Sequence, residues 1–237
     1  MVRSASLPFA FFLAVAATTA MADDAAKTDQ SPPPVASDVP VNPAIHVSPG
    51  DSWTYDVRDD ITGDARGVVT FEVTKASDTE IETRSTQRKK VTDLQSASTQ
   101  VFDARWRQKS NGKFAFQPYL ASTGVPDDLE VGTTWAFKYE VVRKGSELPK
   151  EFRGNGKVES WEKVTLPNGT VYDAFKIDVA AAPASSAGDR KLELHTVMWF
   201  APSVNRLVKR IDENRVGGKL LEAREQTLRE YRPAPKT

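Results

Sequence analysis

The chain has 237 residues and carries 32 Lys and Arg against 32 Asp and Glu, giving a formal net charge of zero and a pI near 6.8. Binding nucleic acid by counterion release needs a surplus of cations, so a nucleic-acid partner is excluded. With no Cys and only 2 His, the chain also excludes disulfides, thiol catalysis, iron–sulfur clusters, a lipid-modified N-terminal Cys and His-rich metal centres, and neither metal nor cofactor is expected.

Residues 1–22 read as a secretory signal peptide. Arg3 is the positive n-region, Leu7 to Ala17 is the apolar h-region, and Ala20-Met21-Ala22 is the small-x-small cleavage pattern ahead of Asp23-Asp24. The apolar run is shorter than the ~20 residues of a membrane-spanning helix, and no later segment is apolar enough to span a bilayer. The expected product is an exported chain cleaved after Ala22. Lacking both Cys and an anchor, it belongs in a bacterial periplasm. Residues 23–45 are polar and hold Pro32-Pro33-Pro34, Pro40 and Pro43. They read as an extended, disordered linker that adds nothing to the fold.

From residue 46 to 232 the pattern is all-β, with a short tail at 233–237. Trp53, Tyr55 and Val57 alternate with Thr54, Asp56 and Arg58. Val69, Phe71 and Val73 alternate with Thr70, Glu72 and Thr74. Phe102, Ala104 and Trp106 continue the pattern, as do Trp135, Phe137, Tyr139 and Val141, then Phe175, Ile177 and Val179, then Leu207, Val208 and Ile211. Alternation of this kind predicts strands with one dry and one wet face, about ten in number, in an antiparallel meander. Segment 220–231 fits either a helix or a strand. The Gly217-Gly218 turn ahead of it favours a closing strand.

An internal repeat is visible. Gly50-Asp-Ser-Trp53-Thr-Tyr55 recurs as Gly132-Thr-Thr-Trp135-Ala-Phe137, each with an apolar residue three positions before the Gly, Val47 and Leu129. Glycines follow at Gly67 and Gly156, and Trp106 and Trp199 recur later in each half. Two similar halves, about 50–118 and 132–212, predict a curved sheet or partly closed barrel, with two small packed sheets as the alternative.

Catalytic motifs are sparse. There is no Gly-x-Ser-x-Gly elbow, and nothing in the spacing brings His195 to a Ser with Asp173 or Asp178. Glu193 and His195, two apart on one strand face, make two ligands where catalytic zinc needs three. Gly154-Asn-Gly156 reads as a hairpin turn, Arg88-Lys89-Lys90 as a solvated loop, and Asn168-Gly-Thr170 as a turn. Trp199 shares a face with Glu193 and His195, while Leu192, Leu194, Met198 and Phe200 point the other way. Two semi-apolar faces suit either a central strand of a layered fold, with these side chains packed in the core, or a curved sheet lining a cavity, for which Trp199, His195 and Glu193 are the candidate binding residues. Trp135 is expected to anchor the core, and His195 to be dispensable for folding.

Met198-Trp-Phe-Ala-Pro-Ser-Val-Asn205, followed by Leu207-Val-Lys209, resembles the Trp-Tyr-Ala-Pro-Gly-Val-Gly-x-Val-Lys signature of exported bacterial β-proteins of unknown function. Pro167-Asn-Gly169-Thr-Val-Tyr172-Asp-Ala174-Phe-Lys-Ile177 is similar to a second run of that pattern, and the likeness covers residues 129–231. It implies an antiparallel β fold in the envelope and brings no catalytic residues. The chain departs at Ser203 and Asn205, where Gly is usual; Asn tolerates a left-handed turn. The favoured reading is a non-catalytic periplasmic binding protein holding an apolar ligand or lipidated chain on a curved sheet. An envelope assembly protein, partnered by another envelope protein, is the alternative, and a carboxylate-dependent hydrolase ranks third.

Overall fold

In β1 (Ser52–Asp59) Trp53, Tyr55 and Val57 are buried, and the polar residues between them face away. β2 (Ala65–Ala76) follows the same rule at Val69 and Val73, whereas β3 (Glu80–Arg88) and β5 (Gln108–Ser110) bury the polar Thr83, Ser85 and Gln108; β4 (Ser96–Asp103) and β6 (Phe114–Leu120) complete this half. A loop at 121–133 leads to β7 (Thr134–Arg143), β8 (Lys150–Thr165), β9 (Val171–Pro183), β10 (Leu192–Ala201), β11 (Arg206–Val216) and β12 (Lys219–Arg232). The computed structural model describes residues 39–88, 96–146, 148–185 and 191–235. The signal peptide with its cleavage site, linker residues 23–38 and Lys89-Lys90 lie outside the described residues.

Each strand pairs antiparallel with its neighbours in sequence, and β12 returns to β1. The result is a closed twelve-stranded barrel, two strands more than the alternation predicted and fully closed rather than partly open. Closure leaves no free sheet edge for another chain to pair with. Segment 220–231 is strand, entered through Gly217 and Gly218 at φ 58° and 75°.

The two Gly-x-x-Trp motifs make the same contacts. The Gly50 and Gly132 amides donate to the carbonyls of Val73 and Val158, whose own amides donate to Asp51 and Thr133. Both glycines have φ near 100° (100° and 96°), a region that favours Gly. The later Trp pair is not equivalent. β4 ends at Asp103 and Trp106 sits in the following turn at φ 62°, not in a strand, whereas Trp199 lies within β10. The Asp103 carboxylate organises that turn by accepting from the Arg105 and Arg107 amides at 2.9 Å each.

Gly154 and Gly156 also correct a turn assignment, because both lie inside β8. A Cβ on Gly156 would stand 2.2 Å from the Trp135 ring, and one on Gly154 would stand 2.1 Å from the Ala180 carbonyl oxygen. The glycines are there so that Trp135 and Phe137 can lie across their own barrel wall.

One end of the barrel is plugged. Trp53 stacks on Tyr231 (ring centroids 5.3 Å) and meets Trp106 edge-on (5.5 Å). The indole nitrogens donate to the Val204 and Asn205 carbonyls at 2.9 and 2.7 Å. Residues 39–45, expected within the linker, dock here. Val39 and Ile45 pack against the core, and the Asn42 amide donates to the Leu129 carbonyl at 3.2 Å.

Candidate functional site

β10 places the sequence-derived candidates on the outer wall. Met198 and Phe200 point into the core, so Glu193, His195 and Trp199 point out. They do not converge on a cavity. The Trp199 Nε1 donates to Glu162 at 2.8 Å, with the Lys209 ammonium 5.3 Å from its ring. His195 Nε2 lies 2.7 Å from Asp178 and its Nδ1 3.8 Å from Glu213, partners that the sequence did not place. Glu193 pairs with Lys191 at 3.3 Å. Among the described residues no group of three or more His, Asp or Glu side chains could hold a metal.

The concave site is the barrel interior. A cavity of about 850 Å³ opens between β1–β6 and β11–β12, within the roughly 300–1,000 Å³ of small-molecule pockets. Tyr55, Val57, Val69, Phe71, Phe102 and Leu207 line its apolar side. Ser85, Gln87, Ser98, Gln100 and Gln108 line its polar side, where Gln108 Nε2 donates to Gln100 Oε1 at 2.6 Å.

Three arginines and a lysine also line it: Arg206, Arg210, Arg224 and Lys113. Arg206 follows Asn205, whose φ of 52° closes the 3-10 turn Pro202–Val204. Asn tolerates this left-handed conformation. β11 then sends Arg210 and Asp212 inward opposite Met198 and Thr196, and a register shift between Trp199 and Phe200 brings both Arg206 and Leu207 to the cavity beside the buried Val208. The Arg206 guanidinium lies 3.9 Å from the Trp106 ring centroid and 4.5 Å from that of Phe71, with Trp53 and Phe102 at 5.3 and 5.5 Å. It is buried, its Nη1 makes no hydrogen bond, and no carboxylate pairs with it among the described residues. Burial lowers its proton affinity, opposed by Tyr55 and reinforced by Arg210.

Arg210 is held differently. Its Nε and Nη2 grip Asp212 at 2.6–3.0 Å. Asp212 also accepts from Thr196 at 2.9 Å and from Arg224 at 3.4 Å. Burial raises the pKa of this carboxyl, but the charges and hydrogen bonds of Arg210, Arg224 and Thr196 outweigh it and hold it below its ordinary value. Asp212 thus acts as a bracket that orients two guanidinium groups. Sequence reasoning passed over these residues. The available signal was parity, since Arg206, Arg210 and Asp212 fall two and four positions from the buried Val208.

No family model matches the chain, and no curated protein matches it. Solved structures do. A Parabacteroides distasonis protein named as a lipoprotein superimposes with a TM-score of 0.52 at 13% identity, over 80% of this chain and 99% of that one. A Bacteroides fragilis protein named as exported, with a YmcC-like fold, gives 0.53 at 12% identity over 81% and 99%. The barrel described above is therefore a fold that this chain shares with bacterial proteins named as lipoprotein and exported protein.

Proposed function

We propose that the chain is a non-catalytic binding protein of the bacterial envelope that holds a small amphipathic molecule inside its barrel. One observation carries this reading: an open cavity of about 850 Å³ with an aromatic side and a polar side in an otherwise closed barrel. A purely apolar guest would leave the cationic row unsolvated, so the guest has a polar end. The site belongs inside the barrel because the sheet offers no free edge, and its outer wall carries ion pairs such as Lys176–Glu159 at 2.7 Å and Lys209–Glu225 at 2.9 Å. A lipid-facing barrel would carry an apolar band there. Export follows from the leader read at residues 1–22 and agrees with the names of the two structural neighbours.

Native mass spectrometry of the full chain purified from periplasm tests this. The expected result is a bound mass of a few hundred daltons that denaturation releases. A protein that stays at its chain mass, both as purified and after incubation with single-chain amphiphiles, overturns it.

A further inference from the structure

We propose that the cavity recognises an acid headgroup, carboxylate or phosphate, at Arg206 and Arg210, so that its ligand is a single-chain acidic amphiphile. This rests on the reading of the cavity as the ligand site and deepens it.

The argument starts from charge. The residues lining the cavity include four cations and no Asp or Glu. Asp212 stands behind them, and its oxygens are committed to Arg210, Arg224 and Thr196. Asp212 pairs with Arg210 and with the exposed Arg224, and no carboxylate pairs with the buried Arg206 among the described residues. An ion taken out of water is destabilised unless an opposite charge meets it.

Arg206 is the sharpest case. It is buried among four aromatic rings with an unused Nη1, and the charge of Arg210 disfavours its proton. Cation–π contact offsets part of the desolvation but leaves the N–H donors of Nη1 unfilled. A planar fork of donors matches a carboxylate or phosphate, whose oxygens would accept from Arg206 and Arg210 together. The rest of the lining suits the body of such a molecule. Val57, Val69 and Leu207 offer apolar surface, and the Ser and Gln side chains offer a polar side.

The test uses the full exported chain, stripped of bound lipid, with dodecanoate, dodecyl phosphate and uncharged dodecanol as probes. Trp53 and Trp106, beside Arg206, give the fluorescence readout. The acids should bind about ten- to a hundredfold tighter than the alcohol, the range that hydrogen bonds to a charged group supply. The ranking of the two acids separates a fatty carboxylate from a lipid phosphate. Arg206→Met should bring both acids down to the level of dodecanol.

Equal binding of all three probes overturns the acid inference while leaving the cavity reading intact, and no binding of any probe overturns both. A folded Arg206→Met protein that still prefers the acids overturns the role of Arg206. If that variant does not fold, Arg210→Gln and Arg224→Gln decide the matter: unchanged acid preference in both overturns the proposal, and a loss in either supports it.

Discussion

At the scale of the residue, burial ranks the aromatic side chains, and the ranking can be measured. Trp53 is completely buried and hydrogen-bonded to Val204. Trp135 is half-buried, lying over Gly156. Trp53→Ala should cost about 3–5 kcal/mol, the usual range for emptying a buried Trp site, and Trp135→Ala less, in proportion to the area it hides. His195 is a third case. It has the partners Asp178 and Glu213, but its side chain is 37% exposed, and pairs of that exposure contribute about 0.2–1 kcal/mol. Urea midpoints should therefore fall in the order Trp53→Ala, Trp135→Ala, His195→Ala, with the largest loss first. A His195→Ala protein as damaged as Trp53→Ala would mean that the outer-wall network of β8–β11 supports the barrel more than its exposure allows.

At the scale of the element, the crossing of Trp135 over β8 predicts a coupling. Gly156→Ala places a Cβ into the indole ring, and overpacking of this kind costs about 1–3 kcal/mol. Because the obstacle is a side chain, combining it with Trp135→Ala should cost less than the sum of the two single changes. Gly154→Ala meets the Ala180 carbonyl oxygen as well as the Phe137 ring. Removing Phe137 should therefore not relieve it. Strict additivity in the Trp135/Gly156 cycle would show that the ring does not cross the strand. The same elements show what the sequence could and could not convey. The alternation in β1, β2, β7 and β9 is plain because one face is dry, and Gly50 and Gly132 are legible because both motifs need the same positive φ. Gly154 and Gly156 read as a turn because nothing local distinguishes a glycine that bends the chain from one that makes room for a ring. Arg206 and Arg210 stayed hidden for a related reason. Alternation equates polar with outward, and in a twelve-stranded barrel the interior is wide enough to take polar side chains as well. The binding role expected of Trp199, His195 and Glu193 was argued from one face of β10 alone. Only closure fixes that face as the outer wall, and their role there stands as a proposal.

At the scale of the whole molecule, stability depends on how the plugged end and the buried polar groups respond to solvent. Residues 39–45 dock on that end through Val39, Ile45 and Asn42, so a chain beginning at residue 46 should melt several degrees below one beginning at residue 39, a shift that corresponds to about 1–2 kcal/mol. The pH profile follows from groups held away from their ordinary values. Burial pushes Tyr55 up to about 12, with Arg206 pulling the other way, and burial alone pushes Tyr139 up to about 12. Each phenol is neutral when protonated and stays so in the folded chain, whereas the unfolded chain ionises near 10. Their contribution is therefore complete below pH 10 and is lost as pH rises toward about 12, at most about 2–3 kcal/mol for each. Asp212 works in the opposite direction. Its lowered value makes its contribution complete above the ordinary carboxyl range and lost as pH falls below it. Urea midpoints followed from acid to strong alkali should show a plateau through neutral pH, a decline on the acid side, and a second decline that begins near pH 10 and is steeper than expected for freely titrating phenols. Tyrosinate absorbance on the folded chain should show Tyr55 and Tyr139 ionising last of the five tyrosines. All five ionising together near pH 10, before any loss of structure, would place both rings in water and empty the barrel interior of the packing described here.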